Sequence, residues 1–239
     1  MAKTKKLRQK KPRPWLLRVF DWKYWFHDLA RFTGWLHILI WFRPNRFFIS
    51  KLAKKEYRKQ EPYLIISNHY NFSDATALLL LFWFRRVPML IQDGVTKSKA
   101  SIFLKWFQCI FVNRENIHYK TFKECFERLD RGHCLGIFPE GHLVHNNEFE
   151  TFKDGASLIA FKTNVRIFPI FLVRRDAIKN RQHIVVGEPF NPREIIDVDK
   201  PSIDDIRLVT AEMERRMQQL RDYYLELEGE KHVQETNDK

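Results

Sequence analysis

In YLIISNHYNFSD, residues 63–74, five β-prone residues run into a polar loop, and the apolar stretch ATALLLLFWF that follows has the length of a helix. A short strand, a loop and a helix make the first half of a βα unit. The alternation then repeats. Strands are expected at YLIIS (63–67), PMLIQ (88–92), CIFVN (109–113), CLGIF (134–138), RIFPIFL (166–172) and HIVVG (183–187). Helices are expected over 74–85, 98–107, 116–131, 155–163 and 203–226. This order predicts an α/β fold, a mostly parallel (mixed) central sheet flanked by helices on both faces. In such sheets, sites gather at the carboxyl ends of the strands.

The region before this alternation has a different character. Residues 1–60 hold 17 Lys or Arg against 3 Asp or Glu, whereas the rest of the chain holds 25 against 26, so the net charge of +13 belongs to the N-terminal quarter. Five of the seven tryptophans (Trp15, Trp22, Trp25, Trp35 and Trp41) lie there too. Tryptophan favours the headgroup level of a bilayer, and nearby Lys and Arg add attraction to anionic lipid. A spanning helix needs about 20 mostly apolar residues, and the best candidate, LARFTGWLHILIWF (29–42), is shorter and contains Arg31 and His37. The expected organisation is a basic mobile arm at 1–13 and amphipathic, membrane-interfacial helices over 14–58. An α/β domain at 59–228 and a frayed polar tail at 229–239 complete it. An anionic membrane surface is the expected partner, with nucleic acid set aside, and the expected location is the cytoplasmic face of a membrane. Three cysteines without regular spacing (Cys109, Cys125 and Cys134) suit a reducing compartment.

His69 and Asp74 fall where the first strand gives way to the first helix. On one helix their side chains would point about 140° apart; a loop curling into a helix start can bring them together. Either Asp74 caps and His69 is a turn residue, or Asp74 orients an imidazole that acts as a general base. The pair alone leaves both readings open. Three further groups sit at comparable places: FPEGH (138–142) with Glu140 and Gly141, FVNR (111–114) with Arg114, and FKDGASLIA (152–160) with Lys153. In the last, Asp154 is expected to cap a helix whose small first residues leave backbone N–H groups open to an anion. One base, one acid and several cations suit removal of a proton from a hydroxyl on a phosphate-bearing molecule. His133, Cys134, His142 and His145 lack zinc-site spacing, and no G-x4-G-K-[ST] loop is present. No metal or cofactor is expected.

NHxxxxD, FVxR, FPEG and IFPIF (167–171), together with FKDGA and VGEPF (186–190), resemble the ordered blocks of the 1-acylglycerol-3-phosphate (lysophosphatidate) acyltransferase, or PlsC-like, family. The resemblance spans about residues 61–191. It implies transfer of an acyl group from acyl-CoA or acyl-carrier protein, as co-substrate, to the hydroxyl of a lysophospholipid, giving phosphatidic acid when the acceptor is lysophosphatidate. By the same resemblance His69 is the base and Asp74 its partner, with no acyl-enzyme. Arg114 and Lys153 bind phosphate, Glu140 and Gly141 shape the acceptor pocket, and Asn68 joins the substrate-binding set. The Gly141 N–H is a candidate oxyanion donor. The chain departs from the family where Leu143 stands in place of the usual arginine after FPEG-x. That departure leaves a different head group, or a phospholipid transacylase, as the alternative; a hydrolase using the same pair is the related chemistry.

Overall fold

The computed structural model describes residues 25–26, 28–29, 44–71, 73–82, 84–92, 100–113, 119–144, 149–174 and 181–237. The expected arm at 1–13, nearly all of 14–43, Arg114 and His145 lie outside them. The strands are β1 (Asn45–Phe48), β2 (Tyr63–Ser67), β3 (Leu90–Gln92), β4 (Ile110–Val112), β5 (Leu135–Ile137), β6 (Arg166–Leu172) and β7 (His183–Val186). The helices are α1 (Lys51–Arg58), α2 (Ser73–Leu81), α3 (Ala100–Trp106), α4 (Tyr119–Asp130), α5 (Gly155–Thr163) and α6 (Ile203–Asn237).

β2 lies inside a five-stranded sheet of order β1-β7-β6-β2-β5. It pairs in parallel with β5 and β6, while β6 and β7 are antiparallel. β3 and β4 form a parallel pair, joined to β5 by a single bridge between Met89 and Gly136. All five residues of β2 are buried because both faces are covered. Leu64 and Ile66 face a core built with α4, α5 and α6. Tyr63 and Ile65 face a second core built with α1 and α2. Each such aliphatic side chain contributes about 1.5–3 kcal/mol on burial.

Two sequence blocks meet in this sheet. A Cβ on Gly187 would lie 2.9 Å from Pro169 Cγ and 3.1 Å from Leu220 Cδ1. Gly187 N–H also donates to the Pro169 carbonyl at 3.0 Å. The proline of IFPIF and the glycine of VGEPF are therefore packing partners that let β7 pass close to β6 beneath α6.

The structure moves two expected boundaries. Residues 45–58, expected among interfacial helices, supply β1 and α1 to the α/β body. β1 pairs in parallel with β7, and α1 buries Ala53, Glu56 and Tyr57. Glu56 accepts bonds from Tyr63 Oη and Arg166 Nη2. Burial opposes its charge, but Lys59, Tyr63 and Arg166 outweigh that and hold its carboxyl down at about 2. At the other end, α6 continues through Asn237 where a frayed tail was expected from 229. Ile206, Val209, Met213, Met217 and Leu220 form its buried stripe.

Candidate active site

Asn68 directly follows β2 and fixes the register of the loop behind it. Its side-chain oxygen accepts the Leu172 N–H and its amide nitrogen donates to the Leu172 carbonyl, both at 2.8 Å. The amide imitates one more strand residue and extends the β2–β6 ladder past Ser67. Expected among substrate-binding residues, Asn68 instead is fully buried, clamps backbone, and is absent from the cavity wall.

The next residue is the histidine of the NHxxxxD block. His69 Nδ1 lies 3.2 Å from Asp74 Oδ2. A carboxylate only accepts, so Nδ1 is the donor, and in a neutral imidazole so held Nε2 keeps its lone pair. The same Oδ2 accepts the Tyr70 N–H at 2.6 Å and the Asn71 N–H at 2.8 Å. The loop is wound around one carboxylate oxygen at the first turn of α2, and this winding brings together two residues that a continuous helix would separate.

FPEG supplies a cradle for His69. The imidazole stacks on Phe138 with centroids 4.0 Å apart and planes 8° from parallel. His69 N–H donates to Glu140 Oε2 at 3.0 Å, and the His69 carbonyl accepts from Val144 N–H at 2.8 Å. Sequence reasoning did not anticipate Phe138 or Val144 as holders of His69; the aromatic that opens FPEG is the one signal that pointed to them. Gly141 takes φ +80°, and a Cβ there would lie 3.2 Å from Lys153 Cε. Its N–H donates to the Phe138 carbonyl at 3.0 Å, so the group expected as an oxyanion donor already has an acceptor. Glu140 is buried, and its carboxyl is pushed up to about 8, chiefly by that burial, with the Glu150 and Asp74 carboxylates adding to it and the His69 N–H opposing it.

His69, Phe138, Gly141 and Lys153 border a cavity of about 580 Å³, within the usual range for small-molecule sites. His69, Gly141 and Lys153 stand on its wall, while Met89, Leu104, Val112, Phe122 and Ile159 make its apolar body. Leu143 and His142 line it as well, and His142 is paired with Glu150. Burial pushes the Cys125 thiol, also in the wall, up to about 12. A thiol that keeps its proton is a poor nucleophile.

One more element reaches the wall. Asp154 precedes α5 without a side-chain capping bond, contrary to expectation, because its Oδ1 accepts from Thr210 Oγ1 on α6 at 2.7 Å. Gly155 and Ala156, the first residues of α5, border the cavity. Their uncapped N–H groups present the positive end of the helix dipole. Lys153, beside them, makes no ion pair among the described residues. Thus His69, Asp74, Glu140, Gly141 and Lys153 converge. Among the described residues, no group of three or more His, Cys, Asp or Glu side chains is arranged to hold a metal ion, and no helix is long and apolar enough to cross a membrane.

A model of the family described as Acyltransferase matches residues 50–173, more than half of the chain. The chain belongs to the acyltransferase family. The matched span begins at Ser50, the N-cap of α1, and takes in every described residue of the His69 cradle. Relatives of this acyltransferase include a probable 1-acyl-sn-glycerol-3-phosphate acyltransferase of Mycoplasma genitalium, 25% identical over 120 residues, 48% of this chain and 45% of that one. The 1-acyl-sn-glycerol-3-phosphate acyltransferase alpha of Mus musculus is 24% identical over 158 residues, 61% of this chain and 55% of that one. The chain spans about half the length of these curated relatives. In fold it is similar to the crystal structure of the 1-acyl-sn-glycerophosphate (LPA) acyltransferase PlsC from Thermotoga maritima, with TM-score 0.57, 16% identity, and coverage of 81% of this chain and 79% of that one.

Proposed function

We propose that this acyltransferase moves a fatty acyl group from a thioester, acyl-CoA or acyl-carrier protein, to the free hydroxyl of 1-acylglycerol-3-phosphate, giving phosphatidic acid. The observation that carries the reading is the Asp74–His69 pair on the wall of a mainly apolar cavity, with Lys153 and the start of α5 on the same wall. Nε2 of His69 takes the proton of the acceptor hydroxyl as its oxygen attacks the thioester carbonyl. The C–S bond breaks, the ester forms, and the departing thiolate receives the proton from the imidazolium. Asp74 remains ionised throughout and stabilises the imidazolium. No cofactor takes part in this scheme.

Lys153 and the open N–H groups of Gly155 and Ala156 are the proposed phosphate grip, with Arg114 a further candidate from the family pattern. Leu143, on the cavity wall where the family places an arginine, favours a second reading in which the acceptor carries another head group. A panel of lysolipid head groups against acyl-CoA and acyl-carrier-protein donors, scored by product mass, decides between them. Esterified product without lysophosphatidate preference selects the second reading, and free fatty acid alone overturns both. Lys153→Met keeps the apolar stem over Gly141 but removes the charge. A charge-assisted bond contributes about 1.5–3 kcal/mol, so the KM for lysophosphatidate rises about 10- to 100-fold while kcat holds. Equal KM values in variant and wild type would remove Lys153 from the phosphate site.

The same reading places the enzyme on an anionic membrane surface. The ring centroids of Phe26 and Trp106 of α3 lie 4.5 Å apart, and Trp25 and Leu29 on one of these segments and Ile102 and Trp106 on the other are exposed. Leu104 of the same helix lines the cavity, which suits a lysolipid arriving from a bilayer. Each inserted large apolar side chain contributes about 1.5–3 kcal/mol. Replacing Trp25 and Ile102 together by Glu therefore weakens sedimentation with anionic liposomes by at least about tenfold. Unchanged binding would show that this patch does not meet the membrane.

A further inference from the structure

Glu140 was expected to help form the acceptor pocket, but its side chain is turned elsewhere. It is 1% exposed, and it is absent from the cavity wall although its neighbours Pro139 and Gly141 belong to it. One carboxyl oxygen, Oε2, takes the His69 N–H at 3.0 Å. The other, Oε1, is buried with no hydrogen-bond partner among the described residues, although the Glu150 backbone N–H faces the carboxyl and favours its charge. No Lys or Arg forms an ion pair with Glu140 among the described residues.

We propose that Glu140 is a positioning residue for His69, an uncharged acid that anchors the histidine's backbone and does not bind the acceptor. The inference rests on the acyl-transfer reading of His69.

The surroundings argue for the uncharged form. An ionised carboxylate would be buried with only backbone N–H groups, of His69 and Glu150, to offset its desolvation and no cation paired with it among the described residues, a costly arrangement in a protein interior. The charged and titratable groups facing it work the same way. Asp74 lies on the adjacent loop and α2, and Glu150 lies on the segment that leads towards α5; both carboxylates disfavour a third negative charge. The Tyr70 hydroxyl is pushed up chiefly by burial and then by Glu140, with Asn68 and Arg221 of α6 opposing. Lys153 rests over Gly141 at the cavity wall and forms no ion pair with Glu140 among the described residues. With the proton on Oε1, Oε2 still accepts from His69, so the anchor holds without a second negative charge beside the imidazole. Ionisation would instead favour the imidazolium and withdraw the base.

Folding is thereby tied to pH in one direction. A carboxyl whose folded value is raised from the ordinary 4.5 to about 8 binds a proton that the unfolded chain releases. That stability is full below the ordinary carboxylate range and is lost as pH rises towards about 8.

Glu140→Gln reproduces the neutral acid, and Glu140→Ala removes the anchor. At neutral pH the glutamine variant keeps wild-type kcat and acceptor KM. The alanine variant, still melting cooperatively, loses at least about tenfold in kcat with acceptor KM unchanged, the signature of a displaced base. Wild type loses kcat above about pH 8, and the glutamine variant does not. Thermal melts across the same range need no activity: wild type loses stability as pH rises, and the glutamine variant has a flatter profile. A raised acceptor KM at constant kcat, a glutamine variant as impaired as alanine, or parallel melting profiles would each overturn the proposal. Wild type that transfers no acyl group while the melts diverge as described would instead sink the acyl-transfer reading and leave the uncharged Glu140 standing.

Discussion

His69→Ala abolishes acyl transfer while leaving the protein folded. Positioned general bases contribute about 10²- to 10⁴-fold, and the fall is expected in kcat, with little change in KM for either substrate. The structural reason for expecting an intact fold is that the cradle holds His69 mainly through its backbone. Glu140 bonds the His69 N–H and Val144 bonds its carbonyl, and both bonds survive when the ring is removed. What is lost is one stacking contact with Phe138, worth about 0.5–1.5 kcal/mol, and one bond to Asp74 Oδ2, which keeps the Tyr70 and Asn71 N–H donors. Circular dichroism and the melting temperature establish the fold, and product mass from a thioester and lysophosphatidate measures the rate. An alanine variant that turns over at near wild-type rate would end the assignment of His69 as base.

The sheet was legible from the sequence because parallel strands buried on both faces leave long apolar runs. YLIIS and RIFPIFL are found at their expected limits. β1 was not legible, for a physical reason. NRFF is four residues long, follows Arg43 and Pro44, and continues an aromatic and basic composition that carries no alternation. Only its pairing with β7, more than a hundred residues away, makes it a strand. α6 outruns its expected end because its terminal residues are charged and polar, which resembles a tail, yet they contain no proline to stop the helix.

At the site, spacing reveals which residues assemble but not which way they face. Asn68 and Glu140 belong to the same short blocks as His69 and Gly141, and pattern alone gives all four similar weight. Three-dimensional pairing separates them: His69 and Gly141 reach the cavity, whereas Asn68 turns to the Leu172 backbone and Glu140 to the His69 N–H. A hydrogen bond from a side chain to a backbone group leaves no trace in residue spacing. Asp154 likewise has the spacing of a cap, although its partner is Thr210 on a helix that begins almost fifty residues later.

Asp74 allows charge to be separated from geometry. Its Oδ2 is held by two backbone donors, Tyr70 N–H and Asn71 N–H. In Asp74→Asn those donors select the amide oxygen for this position, because the NH₂ group would meet two N–H groups head on. The oxygen then still accepts from His69 Nδ1, so the tautomer and the ring orientation are kept and only the negative charge is gone. A fall of about 10²-fold in kcat, with a melting temperature close to wild type, therefore measures how far that charge stabilises the imidazolium. Asp74→Ala differs because it strips the acceptor from two N–H groups of a half-buried loop, at up to about 1–3 kcal/mol each. It lowers the melting temperature as well as the rate. The double variant His69→Ala/Asp74→Asn is expected to be no slower than His69→Ala, since residues that act as a unit lose their effect once one of them is removed. If the second substitution multiplies the loss, Asp74 acts on the reaction by some route other than His69.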